Sequence, residues 1–417
     1  MEDWLICGGR ELHGDVRIGG CKNAALPILF ASLLTDGELV LHGIPEITDV
    51  AVALDILQGF GVRVAREGET CVLCAAGADR TPEAAPTARL RGSLYLLGAL
   101  LGRRGEVRIG KVGGCDFGGR PVDMHLAAFR VLGARGAEGD GFSLSAPEGL
   151  RGGIIRLPFP SVGATINALL AAVKARGRTE IYGAAREPHV TDTVRFLRCC
   201  GARIAGEGGS HLSIEGVPTL HGCTYTITPD MIESGTYLAI GAACGGKVRV
   251  THTAPEQLRL VCTVLRQMGA QVKQGKESIL LSSRGTLRGC RLATAPYPGF
   301  PTDLQPPFGV LMALSQTGGC LQEGVWEQRF RYLAPLVAMG VHAVQRGSTV
   351  FFPGGDRLHG AEVTAPDLRA GAALMMAALC AEGETLLHGN GFLGRGYAHF
   401  TDRLLVLGAD LRQMPTA

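Results

Sequence analysis

Apolar positions along this chain fall into two interlocked series. In the first, an amphipathic stretch of helical spacing ends on an apolar residue and then a glycine. Val194 to Cys200 before Gly201, and Leu258 to Met268 before Gly269, are examples. The closing glycines are Gly61, Gly133, Gly201, Gly269, Gly340 and Gly408, spaced 68 to 72 residues apart. Glycine adopts the left-handed conformation cheaply, so each position predicts a helix C-terminus. A short alternating strand follows, as in Ala202-Arg203-Ile204 and Ala270-Gln271-Val272. The second series consists of apolar helices rich in small residues, predicted to begin near Asn23, Gly92, Gly163, Ser234, Asp303 and Ala370. Each runs into a glycine-containing turn and a strand, as in Gly37 to Leu41 and Gly246 to Val250. The stretch Gly235 to Cys244 has no polar face, which means burial on all sides.

Both series share a period of roughly 70 residues, longer than the 20–50 residues of solenoid repeats. The unit reads helix, strand, helix, strand, with further short strands, and it occurs six times. Six α/β units of this size predict two domains of three units, with the midpoint near residue 228. Inner helices without a polar face place the sheets outside them, which a doubly wound sheet does not.

Composition narrows the class. The chain has 417 residues, 46% apolar and 19% charged, an ordinary globular balance. A net charge of +3 gives no reason to expect nucleic acid or a membrane surface as a partner. The apolar stretch Ala24 to Leu34 contains Pro27 and Ser32 and falls short of the ~20 residues that span a bilayer. Met1-Glu2-Asp3-Trp4 lacks a basic n-region, so no secretory signal is expected and the location is read as cytoplasmic. The 13 cysteines are odd in number. Cys71 and Cys74 lie in an alternating, strand-like run, and neither a zinc site nor a disulfide framework fits. Most are expected to be small buried hydrophobes in a reducing compartment.

Candidate chemistry sits at the starts of the inner helices. The residues expected just before them are Lys22, Arg91, Val162, Glu233, Thr302 and Arg369. Helix N-termini favour anions through free N–H groups and the macrodipole, and a cation placed there strengthens the anion site. Surface charges at loop ends are the alternative. The loop Val112 to Asp123 holds four glycines around Cys115, with Arg120 five residues on. A thiol near a guanidinium can be tuned toward neutrality for acid–base work. A structural thiol in a glycine turn is the alternative.

Seven motifs occur in order: Cys21-Lys22-Asn23-Ala24-Ala25; Gly113-Gly114-Cys115 with Gly119-Arg120-Pro121-Val122-Asp123; Pro160-Ser161-Val162-Gly163-Ala164-Thr165; Ala185-Arg186-Glu187-Pro188; Phe300-Pro301-Thr302-Asp303; Pro366-Asp367-Leu368-Arg369-Ala370; and Arg395-Gly396-Tyr397. Together they resemble the UDP-N-acetylglucosamine 1-carboxyvinyltransferase family, over essentially the whole chain. The resemblance implies an inside-out α/β barrel, with residues 21–228 as one three-repeat domain and residues 1–20 plus 229–417 as the other. It implies an active site in the inter-domain cleft and the transfer of enolpyruvyl from phosphoenolpyruvate to the 3′-hydroxyl of UDP-N-acetylglucosamine, the first committed step of peptidoglycan synthesis. No cofactor and no metal are implied, and the oligomeric state stays open.

Roles carry over residue by residue. Cys115 resembles the family's proton donor to C3 and the cysteine alkylated by fosfomycin. Asp303 resembles the base that takes the 3′-hydroxyl proton. On residue type alone, Asp303 also reads as a helix N-cap. Lys22, Arg120 and Arg395 resemble the phosphate-side group, and Arg329 and Arg369, with Asp367 beside them, the carboxylate-side group. Arg120, Pro121, Val122 and Asp123, with Ser161, Val162 and Gly163, resemble the stretches that hold uridine and diphosphate. Asn23, Arg91, Asp303 and Val325 resemble contacts to the sugar. Three positions depart from the pattern: Met231 in place of Arg, Gly394 in place of Asp and Gln328 in place of Asn. Gly394 predicts a looser loop around Arg395. Rival readings are the shikimate-pathway enolpyruvyl transferase, a paralogue that binds nucleotide sugar without turnover, and a structural repeat protein.

Overall fold

The computed structural model describes residues 3–80, 86–113, 121–326 and 328–414. The chain divides into two compact units, Gly20–Thr228 and Met1–Gly19 with Pro229–Ala417. Among the described residues each unit holds three repeats of an inner helix followed by an outer one. In Gly20–Thr228 the pairs are α1 (Lys22–Ala31) and α2 (Thr48–Gly59), α3 (Leu96–Arg104) and α4 (Asp123–Val131), α5 (Val162–Ala172) and α6 (Pro188–Cys199). In the other unit they are α7 (Met231–Cys244) and α8 (Arg259–Gln267), α9 (Gln305–Leu314) and α10 (Leu333–Ala338), α11 (Leu368–Cys380) and α12 (Phe400–Val406). Six sheets accompany them among the described residues, five of four strands and one of three. Each unit is an inside-out α/β barrel.

The six periodic glycines close the six outer helices. All have φ between 94° and 106°, where a side chain would be strained. The residue after each donates its N–H back five positions, as in Val62 to the Leu57 carbonyl at 3.0 Å and Ala202 to that of Leu197 at 2.9 Å. The same bond recurs at Ala134, Ala270, Val341 and Ala409, between 2.9 and 3.1 Å. It is the long bond of a Schellman motif, and it turns the chain from outer helix into hairpin strand six times.

The sheets interlock the repeats. Arg63–Glu67 pairs antiparallel with Thr70–Cys74, which pairs with Leu39–His42. The fourth strand of that sheet, Cys223–Thr226, arrives from the last repeat of the unit and runs parallel to Leu39–His42. In the other unit, Asp3–Cys7 lies between Glu384–His388 and Asp410–Met414, and Leu12–Arg17 runs parallel to Gly246–Thr251. These two N-terminal strands complete sheets otherwise built from residues 246–283 and 362–414, which is why the first residues belong to that unit.

The inner helices are buried nearly throughout. Every residue of α7 but Cys244 is buried, and every residue of α11 but Cys380. Small residues let their backbones approach closely. A Cβ on Gly235 would lie 2.4 Å from Leu304 Cδ1, and one on Gly98 would lie 2.4 Å from the Asn167 carbonyl oxygen. No helix among the described residues is long and apolar enough to cross a membrane.

Two expectations need correction. The residues read as preceding the inner helices lie inside their first turns. Asp230 caps α7 by accepting the N–H groups of Ile232 at 2.7 Å and Glu233 at 3.1 Å, so Glu233 is the third helical residue. Asp367 caps α11 in the same way, making Arg369 the second. Thr302 and Arg91 each open a 3₁₀ turn that leads into α9 and α3. The cysteines are also less buried than composition implied. Cys21, Cys71, Cys200 and Cys262 are buried, seven others are half-buried and Cys199 is exposed among the twelve free thiols described. Their places at strand edges and helix ends leave them partly open.

Candidate active site

Asp303 stands at the 3₁₀ entry to α9, and its carboxylate is shared between two guanidinium groups. Arg329 Nη2 lies 2.6 Å from Oδ1, and Arg369 Nη2 lies 2.9 Å from Oδ2. Both arginines are buried, whereas the Asp303 side chain is 27% exposed. Arg329 is oriented further by its Nε, which donates to the Thr302 carbonyl at 3.2 Å. Burial works against the charge on Arg369, but Asp303 opposes it and the net direction of the Arg369 pKa is upward. The Arg369 guanidinium also lies 5.3 Å from the centre of the Tyr397 ring. Asp303 does not take the N-cap position itself: it is the second residue of the 3₁₀ turn Thr302–Leu304, whose N-cap is Pro301, and the N-cap of α9 is Leu304.

Nearby, Glu323 follows directly on the strand Gly319–Gln322 and binds both the turn that carries Val325 and the hydroxyl of Thr302. Asp367 spends its carboxylate on capping α11. Arg395 is half-buried in the 3₁₀ turn Asn390–Arg395, and Gly394 beside it is exposed. Asp303, Arg329 and Arg369 are thus brought together, with Val325 tied to them through Glu323 and Thr302.

In Gly20–Thr228 a second set forms at the helix starts. Lys22 is the first residue of α1, and its Nζ pairs with Asp49 Oδ2 at 2.7 Å. Asp49 comes from the first turn of α2, and both side chains are nearly enclosed, at 12% and 6% exposed. At α5, Ser161 caps the helix by accepting the Ala164 N–H at 3.3 Å. Gly163 faces the ring of His125, where an added Cβ would lie 2.9 Å from Cε1. His125 is buried on α4, two residues after Asp123. The Asn167 amide fixes its tautomer. Asn167 Oδ1 accepts the Gly98 N–H at 2.8 Å, so its nitrogen donates to His125 Nδ1 at 2.9 Å and leaves the ring proton on Nε2. Burial first, then the Arg91 charge, push the His125 pKa down to about 4, so the ring is neutral. Burial also pulls the half-buried Arg91 below its ordinary value, against the opposing charge of Glu138. Arg91, Asp123, His125 and Gly163 are therefore neighbours, with the exposed Pro121 and buried Val122 leading into α4. Asn23 is half-buried beside Lys22, as Val162 is beside Ser161.

Cys115 and Arg120 lie outside the described residues. Sequence reasoning missed Asp49, His125, Glu323 and Tyr397. Tyr397 ends the quoted motif Arg395-Gly396-Tyr397 without a role assigned to it and His125 sits two residues beyond Asp123, whereas Asp49 and Glu323 carry no signal of their own. No group of three or more His, Cys, Asp or Glu among the described residues is arranged to hold a metal ion. A cavity of about 370 Å³ lined by Met231, Tyr297 and Pro298 takes in none of the predicted site residues. The chemistry available is that of clustered cations at helix starts, suited to phosphate and carboxylate, with one partly exposed carboxylate among them.

The family model described as EPSP synthase (3-phosphoshikimate 1-carboxyvinyltransferase) matches residues 6–404. The chain is 40% identical to "UDP-N-acetylglucosamine 1-carboxyvinyltransferase 1" of Streptococcus agalactiae, covering 99% of each chain. It is 42% identical to "UDP-N-acetylglucosamine 1-carboxyvinyltransferase" of Gluconacetobacter diazotrophicus, covering 99% of this chain and 100% of that one. Among solved structures, the enolpyruvyl transferase NikO from Streptomyces tendae aligns with a TM-score of 0.90 at 28% identity, covering 100% of this chain and 99% of that one. EPSP synthase from Acinetobacter baumannii shares the fold, with a TM-score of 0.75 at 20% identity over the full length of both chains.

Proposed function

The chain belongs to the family of UDP-N-acetylglucosamine 1-carboxyvinyltransferases, within the wider EPSP synthase family, and we propose that it moves the enolpyruvyl group of phosphoenolpyruvate onto the 3′-hydroxyl of UDP-N-acetylglucosamine with release of phosphate. The step belongs to peptidoglycan synthesis and takes place in the cytoplasm. The observation that carries the chemistry is the Asp303 carboxylate held between Arg329 and Arg369.

The reaction runs by addition and then elimination. The sugar hydroxyl attacks C2 of phosphoenolpyruvate, Asp303 takes the hydroxyl proton and Cys115 gives a proton to C3. In the second half the bond from C2 to the phosphate oxygen breaks, C3 loses a proton and the enol ether remains. A carboxylate is a weak base for a hydroxyl, so it needs a close hydrogen bond to act. Both of its oxygens accept from guanidinium groups. The carboxylate of phosphoenolpyruvate competes for those same donors, which frees an oxygen of Asp303 as the substrate loads. Lys22, Arg120 and Arg395 bind the phosphate, and bidentate arginine suits both anions. Asn23, Arg91 and Val325 receive the sugar, while Arg120 to Asp123 and Ser161 to Gly163 receive the nucleotide, where free N–H groups at the start of α5 suit a phosphate. Fixed cations then stabilise the charge of the tetrahedral intermediate.

The test is phosphate release from phosphoenolpyruvate, measured with and without UDP-N-acetylglucosamine. Release that depends on the nucleotide sugar is the expected result. Release with shikimate 3-phosphate instead would overturn the acceptor assignment, and release with neither would favour a binding protein without turnover.

A further inference from the structure

Glu323 is a buried carboxylate, 5% exposed, to which nothing above assigns a chemical task. Its three hydrogen bonds join two segments far apart in sequence. Oε1 accepts the backbone N–H groups of Val325 at 2.8 Å and Trp326 at 3.0 Å, and Oε2 accepts the Thr302 hydroxyl at 3.1 Å. Its own turn is anchored to the sheet. The Glu323 N–H donates to the Ser348 carbonyl at 2.7 Å, and the Gly324 N–H to Thr294 Oγ1 at 2.9 Å. From Thr302 the ring of bonds continues, because the Thr302 carbonyl accepts Arg329 Nε and Arg329 Nη2 holds Asp303. The Tyr332 phenol is fully buried nearby, and burial together with the Glu323 charge pushes its pKa up, against Arg329.

Burying a carboxylate is costly unless its oxygens are satisfied. A strand end with no further duty is served as well by a neutral side chain. Here the acceptor geometry matches three donors, two of them fixing the turn that carries Val325 and the third fixing the residue before Asp303. We propose that Glu323 is a positioning residue for enolpyruvyl transfer, locking the Thr302–Asp303 turn against the turn that carries Val325 and Trp326 so that the Asp303 carboxylate meets the acceptor hydroxyl in one orientation. The inference rests on the reading of Asp303 as the base and Val325 as a sugar contact.

The test uses E323Q, E323A, T302V and D303N in the full chain, with kcat and KM for both substrates, calorimetric binding of UDP-N-acetylglucosamine and a thermal melt. Glutamine keeps an oxygen for the Val325 and Trp326 N–H groups and offers its amide N–H to Thr302 Oγ1, so E323Q keeps kcat within about threefold. T302V removes only the tie between the segments. A misplacement of the base by about 1 Å costs on the order of 100-fold in rate, so kcat falls between about 10- and 100-fold in T302V and by about 100-fold in E323A. In T302V, which leaves the Val325 turn bonded to Glu323, KM and the nucleotide-sugar Kd change much less than kcat, a split that general loosening of the fold does not produce; in E323A, which also frees that turn, the nucleotide-sugar Kd weakens as well. Should E323A fail to fold, E323Q and T302V decide: retention in the first and loss in the second support the proposal. If T302V keeps kcat within about threefold while D303N is inactive, the positioning role is overturned and the reading of Asp303 stands. If D303N itself stays active, it is that reading which fails.

Discussion

Two buried groups, one in each unit, make stability respond to pH in opposite directions. Burial and Arg91 hold His125 at about 4 in place of its ordinary 6.5. Glu233 is pushed up to about 7 from 4.5, first by burial, with the charge of Asp230 adding to it while Arg403 and the Gly19 N–H pull the other way. Below pH 6.5 the unfolded chain protonates this histidine and the folded chain does not, so acid favours unfolding of Gly20–Thr228. Its contribution is complete above pH 6.5 and is lost progressively down to about 4. Glu233 behaves in reverse. Below pH 7 the folded state binds a proton that the unfolded carboxylate refuses until about 4.5, so its contribution is complete below 4.5 and is lost as pH rises through 7. Integrated between pH 7.5 and pH 5, each contributes about 2 kcal/mol, with opposite signs. The perturbations are H125Q and E233Q, and the measurement is urea unfolding at pH 5, 6, 7 and 7.5. Trp4 and Trp326 are the two tryptophans of the chain, and both belong to the unit that contains Glu233. Fluorescence therefore follows that unit, and circular dichroism follows both. Each variant is offset at every pH by lost packing or an unpaired Arg403, so the informative quantity is the slope of the difference from wild type. The H125Q difference should shrink toward pH 5 and the E233Q difference should grow. A pH-independent difference in either would refute the assigned proton position in that unit.

Other outcomes follow from the same geometry. D303N keeps the shape of the side chain but removes its basicity, so kcat/KM for phosphate release should fall by about 10²- to 10⁴-fold. Because the carboxylate is shared by two buried guanidinium groups, the melting temperature should fall as well, so activity is read well below the transition; retained activity would remove Asp303 from the mechanism. G163A places a methyl 2.9 Å from His125 Cε1 and should weaken UDP-N-acetylglucosamine binding at least tenfold, read by calorimetry, whereas unchanged affinity would show that the ring yields freely. Fosfomycin should inactivate the enzyme and label Cys115 by peptide mass spectrometry. Cys199, although exposed, has its thiol pushed up to about 11 by burial of the sulfur and by Cys223, and should stay unlabelled; modification there instead would count against the placement of Cys115.

What the sequence makes legible here is whatever a periodic backbone requirement writes into residue type. Six glycines sit at one recurring phase because six outer helices end in the same left-handed turn, and helices without a polar face can only lie inside a shell of sheets. Which charges meet is not written that way. Lys22 finds Asp49, Glu233 finds Arg403 across 170 residues, and Asp303 collects Arg329 and Arg369 from two other elements. Each partner is set by how repeats stack, and no local pattern encodes it. This changes the meaning of a cation at a helix start. By the dipole alone, Lys22 and Arg369 are unfavourable until an anion arrives. The folded chain supplies that anion itself, as Asp49 and Asp303, so the fold holds both cations in place. A phosphate or carboxylate entering the site then competes with an internal carboxylate for the same donors. Under the proposed function that competition has a chemical product at Asp303, where the displaced partner is the group that accepts a proton. In that proposal the cations bind substrate and uncover the base in a single exchange, and the short helix-start motifs reveal the first half of it only.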